Sequence, residues 1–162
     1  MFDLEYVKNC NIKAPGLAIG TDTTTAKYAN TMQVKVNGII GAPTATADVP
    51  ALSTSKGRGG VASTVLATKM CRFYTVLAAV SATTSAITLS LVHGDDFSLI
   101  TDIGRVKYLN PGNTADDLCN KAIVGYFCVL NGTTGNFTPS TTDLNAVGVT
   151  TVYVDQWGFL GM

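Results

Sequence analysis

Glutamate is almost missing from this chain: Glu5 is the only one in 162 residues, and charged residues of all kinds amount to 14%. A soluble domain ordinarily carries about 25%, so something other than charge covers the surface. The exposed Glu and Lys that favour helices are in short supply. One histidine, His93, leaves no material for a histidine-rich metal site. Eleven basic and eleven acidic residues cancel, which removes the field that gathers phosphate backbones or anionic lipid. Nucleic acid is therefore not an expected partner. No apolar run reaches the roughly 18 residues a membrane helix needs, because the longest stretch, Tyr74 to Val92, is interrupted throughout by Ser and Thr. No membrane partner is expected either.

Catalytic motifs are equally scarce. Acid/base chemistry needs two positioned ionisable groups, and here Glu5, ten Asp and one His are spread along the chain without recognisable spacing. No Ser sits in a G-x-S-x-G elbow, and no cofactor motif is present, so the expectation is a non-enzymatic chain with no cofactor. Lys56-Gly57-Arg58-Gly59-Gly60 lacks the G-x-x-x-x-G-K-[ST] pattern and its strand-loop-helix setting, and reads as a surface loop. His93-Gly94-Asp95-Asp96 is the one place where histidine stands beside carboxylates. With no second cluster to converge on it, the segment reads as a turn and not as a metal site.

The cysteines are Cys10, Cys71, Cys119 and Cys128, none spaced C-x-x-C. The opening Met-Phe-Asp-Leu-Glu lacks the basic and apolar regions of a secretory signal. Reduced thiols in a protein made in a cytoplasm are expected. On the same reasoning the acceptor patterns at Asn131 and Asn136 carry no glycan. Tyr74, Tyr126 and Tyr153 fall in strand-like segments, where packing is a better expectation than a sugar-binding face.

What the chain has in abundance is threonine, 23 residues, and glycine, 16. Threonine is stiff at its first torsion and suits a pleated, half-exposed surface. Met32 to Val36 alternates, and Asn37-Gly38 before Ile39-Ile40 is a hairpin signal. Residues 41–60 read as a long connection. Met70 to Val80 and Ala86 to Val92 read as strands paired through the turn Ser81 to Ser85. Phe97 to Ile100 and Arg105 to Leu109 are short strand candidates. Asn113 to Lys121 is the single short helix, with Thr114 as N-cap and Asp116 and Asp117 in its first turn. Ala122 to Leu130 is the central strand, and Val149 to Val154 the last.

The fold expected is all-β: an antiparallel sandwich or jelly-roll-like single domain over residues 26–162. An irregular N-terminal arm over 1–25 precedes it. Phe2, Leu4 and Tyr6 on the arm, with Trp157, Phe159 and Leu160 at the other end, are the candidate partner contacts. Large apolar groups on a chain end usually have somewhere to dock.

The stretch Ala122-Ile123-Val124-Gly125-Tyr126, with Asn131 through Phe137-Thr138-Pro139-Ser140-Thr141-Thr142-Asp143-Leu144, resembles a motif of tailed-phage virion structural proteins. There an I-G-Y strand leads into F-T-P-G-T-T-x-L and then a strand rich in valine and tyrosine, the role filled here by Val149-Thr150-Thr151-Val152-Tyr153. Met32 to Gly38, followed by Ala51-Leu52, is similar to the opening hairpin of those proteins. Ser140 departs from the pattern, which often has glycine there. The resemblance implies a capsid decoration or cement protein assembled in the host cytoplasm, located on the virion surface and seated on the major capsid protein, with a homotrimer as the expected oligomer. A head-fibre or tail-associated adhesin that binds host glycan is the alternative. The resemblance carries over no catalytic or ligand residues.

Overall fold

Strand period and turn chemistry account for most of the architecture. The computed structural model describes residues 9–41, 46–98, 120–132 and 135–155. In chain order the strands are β1 (Asn9–Lys13), β2 (Leu17–Ile19), β3 (Ala26–Tyr28), β4 (Gln33–Val36), β5 (Ile39–Gly41) and β6 (Ala47–Asp48). They continue as β7 (Met70–Val80), β8 (Ile87–His93), β9 (Phe97–Ser98), β10 (Ala122–Asn131) and β11 (Val149–Asp155). The hairpin between β4 and β5 turns on Asn37 and Gly38, at φ 51° and 83°. Both residues tolerate the left-handed region that a two-residue turn matched to strand twist requires.

Five strands make the large sheet: β11, β10, β7 and β8 in that order, with β9 continuing along β7 beside β8. Two three-stranded sheets, β1-β4-β5 and β2-β3-β6, complete the fold. All the pairings are antiparallel. Side chains alternate across a strand, so β7 sends Tyr74, Val76 and Ala78 to one face and Cys71, Phe73, Thr75 and Leu77 to the other. The first face meets Leu17, Ala26 and Tyr28 of one small sheet and Val34 and Val36 of the other in a single buried cluster. The result is an all-β, sandwich-like domain in which both small sheets cover the inner face of the large one. Among the described residues no helix is long and apolar enough to cross a membrane.

A bulge explains why β10 reads as an unbroken apolar run. Its register against β7 shifts between Ile123 and Gly125, leaving Val124 as the extra residue. Ala122 and Val124 are buried on the inner side before the shift, and Phe127, Val129 and Asn131 after it. One extra residue switches the parity of the strand, so even and odd positions both reach the core.

Two expectations are corrected. Residues 9–19, assigned to an irregular arm, contain β1 and β2, paired with β4 and β3. Strands this short are set by their partners and show almost no period of their own. The connection over 41–60 holds β6 and two 3-10 turns, at Leu52–Thr54 and Arg58–Gly60. The predicted strand Arg105 to Leu109, residues 99–100 and residues 113–119 of the predicted helix lie outside the described residues.

Candidate functional site

The two edges of the large sheet are treated differently. At the C-terminal end of β8 the loop after the first 3-10 turn bridges the edge: Lys56 N–H donates to Leu91 O at 3.2 Å, and His93 N–H donates to Lys56 O at 3.0 Å. Lys56 is therefore tied to the sheet, while Gly59 and Gly60 are exposed. The seat of this bridge is a buried polar cluster. Ser55 Oγ donates to Leu52 O at 2.7 Å and lies 3.0 Å from His93 Nδ1. The Ser55 hydroxyl thus lies within hydrogen-bond reach of both the Leu52 carbonyl and the imidazole, and the direction of the Ser55–His93 bond follows the tautomer of the ring. Gly57 is required on the other side of the ring, where a Cβ would stand 2.5 Å from His93 Nε2.

Arg72 lies beside this group, with its side chain 2% exposed. Its Nε donates to Asp96 Oδ1 at 2.6 Å and Nη2 donates to Oδ2 at 3.0 Å, a two-pronged pair that matches guanidinium to carboxylate. Nη1 donates to Ser63 Oγ at 2.9 Å and to Thr64 O at 2.6 Å. Ser63 also meets the Tyr74 hydroxyl at 3.3 Å. Burial is the largest single influence and works against the arginine's charge, but Asp96 and Tyr74 together outweigh it and hold the pKa above its usual value. The cluster thus ties residues 52–64 to β7 and β8.

Of the sequence candidates, His93 and Asp96 take part in this brace and Asp95 is exposed. No group of metal-ligating side chains occurs among the described residues. Tyr74 and Tyr153 flank Phe127 on the inner face, at ring separations of 5.2 and 5.8 Å. Tyr126, opposite Thr75 and Val154, points to the outer face. The three tyrosines therefore form no common platform. Asn131 is buried, and its amide donates to Leu66 O, Ala67 O and Gly135 O. Phe2, Leu4, Tyr6, Trp157, Phe159 and Leu160 lie outside the described residues. Arg72 is the residue that the sequence reading missed. A lone arginine inside the apolar run Met70 to Val80 was the available signal, because a charge there must find a partner.

Among the described residues the opposite edge has no partner: β11 pairs there with β10 alone, and Val152 and Val154, on its outer face, are 49% and 37% exposed. The outer face behind them carries Cys128, Leu130, Phe73 and Cys71. Burial, with the neighbouring Cys71 thiol, pushes the Cys128 thiol up to about 12, so it stays protonated. In the turn after Pro139, Ser140 has φ 61°. That is the left-handed region glycine favours, and the Ser140 hydroxyl in turn accepts from Ser53 N–H at 2.9 Å.

One pH effect follows from the brace. Burial, then the positive charge of Arg72, lowers the His93 pKa below its ordinary 6.5. The unfolded chain consequently takes up a proton that the native imidazole refuses, and stability rises with pH wherever the unfolded state binds more protons. This contribution is complete above about pH 6.5 and falls as pH drops from there through the depressed native value. Thermal melts between pH 7.5 and 5 should show the decline, and His93→Asn should flatten that part of the profile.

No protein-family model matches this chain, and neither a curated protein nor a solved structure matches it.

Proposed function

We propose that the chain is a structural subunit of a tailed-phage virion, a decoration or cement protein that sits on the capsid shell as a trimer and binds the major capsid protein. The observation that carries this reading is the β11 edge, which has no partner among the described residues and bears two exposed valines, whereas the end of β8 is bridged by Lys56. Natural sheets blunt an exposed edge with charge, proline, a bulge or a covering loop. β8 has its loop at one end, while Val149–Asp155 has only Asp155 as a charge and no proline. A low-charge, threonine-rich surface and the likeness at 122–144 support the same reading. Work of this kind is burial at joints, and many weak joints add through avidity. The glycan-binding alternative lacks support from the tyrosines, which are divided between two faces.

The test is an inventory of purified particles. The protein should be present in numbers comparable to the shell subunit. Deleting residues 156–162, which removes Trp157, Phe159 and Leu160, should empty those sites while the melting curve of the free protein stays in place. Each of these groups is worth about 1.5–3 kcal/mol if buried. Unchanged occupancy would reject the assignment.

A further inference from the structure

Among the described residues one long strand edge has no partner, and the sequence supplies a segment whose first five residues alternate as an edge strand would. Residues 2–8 read Phe2-Asp3-Leu4-Glu5-Tyr6-Val7-Lys8, with Phe2, Leu4 and Tyr6 at every second position. Residues 2–6 alternate apolar and acidic before Val7 and Lys8 break the period, and alternation is the pattern of a strand with one apolar face. We propose that this segment of one copy adds as an edge strand to β11 of a neighbouring copy.

Length agrees with this pairing. β11 has seven residues and spans roughly 23 Å at strand rise, and residues 2–8 in extended form cover about the same distance. Side-chain chemistry agrees as well. Running in either direction beside β11, with Leu4 opposite Val152, the segment places Phe2, Leu4 and Tyr6 in one row with Val152 and Val154 on the outer face. The apolar groups of both strands then share a surface, as cross-strand neighbours do. Asp3 and Glu5 turn to the opposite side, away from the valines.

The choice of a neighbour follows from where the segment starts. Asn9 opens β1, which is held against β4 and packs against β10. The arm therefore leaves from the small sheet beneath the large one. Among the described residues nothing covers Val152 and Val154 fully. A contact in which arm meets edge is head-to-tail, and such contacts close into rings when the rotation permits. A three-membered ring is the trimer already inferred. The inference rests on the reading that copies associate, and it names the joint.

The experiment uses the full chain. Benzoylphenylalanine is placed at position 4 in an isotope-labelled protein, which is refolded together with unlabelled protein and irradiated. The expected product joins labelled residue 4 to unlabelled β11, around Val152. In parallel, deletion of residues 2–8 and the substitution Val152→Lys should each give monomers with an unchanged circular dichroism spectrum. A synthetic peptide of residues 2–8 should bind the deleted form and shift amide signals of 149–155. Cross-links confined to one chain would overturn the proposal, and so would a deleted form that stays oligomeric or a full chain that is monomeric. Particle binding is read separately. An arm-linked oligomer that does not bind shells removes the virion role and leaves this joint standing. A monomer that does bind shells does the reverse.

Discussion

Replacing Arg72 with leucine should remove about 1–3 kcal/mol of folding free energy, the cost of taking the donor away from the polar groups of a half-buried ion pair. A domain is stable by only about 5–15 kcal/mol, so the loss is a large share of the whole. The reason lies in what the guanidinium leaves behind. Asp96 loses its two-pronged partner, and Ser63 Oγ and Thr64 O lose the donor they share. An unsatisfied buried polar group costs about 1–3 kcal/mol. Urea denaturation followed by tryptophan-independent circular dichroism would read the change. Asp96→Asn should cost less, since an amide oxygen still accepts from arginine and the site is partly open to solvent. A leucine variant as stable as the parent would show that the brace holds little of the fold together.

Phe127→Ala should be more damaging, at about 3–5 kcal/mol. Phe127 is fully buried in mid-strand on β10 and stacks on Tyr74 with an interplanar angle of 15°. On its other side is Tyr153, whose hydroxyl is buried with no hydrogen-bond partner and whose pKa burial pushes up to about 12. Removing the ring opens a void between three strands of one rigid sheet, which has little room to collapse. A domain of this size shifts by roughly 2–4 °C per kcal/mol, so the melting temperature should fall by roughly 6–20 °C. Phe127→Leu keeps much of the volume and should recover a good part of the loss.

The long strands were legible because their patterns are their own. Met70 to Val80 matches β7 at both ends, and the Asn37-Gly38 turn needed no tertiary information. Residues 9–19 were not legible, because three to five residues contain too little period to outweigh Pro15 and Gly16. The continuous apolar character of β10 signalled burial but hid the bulge at Val124, since a parity switch leaves no mark in composition. The polar brace was half visible. Asp96 and His93 drew attention as a local group, while Arg72, 24 positions before Asp96, became their neighbour only through strand pairing. The edge at β11 was invisible, because a strand's sequence does not say whether it stands in the middle of a sheet or at its margin.

The order of strands in the large sheet also sets a timetable. β7 and β8 are joined by a short turn and can close on each other in microseconds, as hairpins do. β10, the other neighbour of β7, begins at Ala122, some forty residues further along. Bringing distant segments together must first overcome the entropy of the intervening loop, which makes folding slower as contacts become less local. During synthesis, one flank of β7 therefore waits bare until the ribosome has released Asn131.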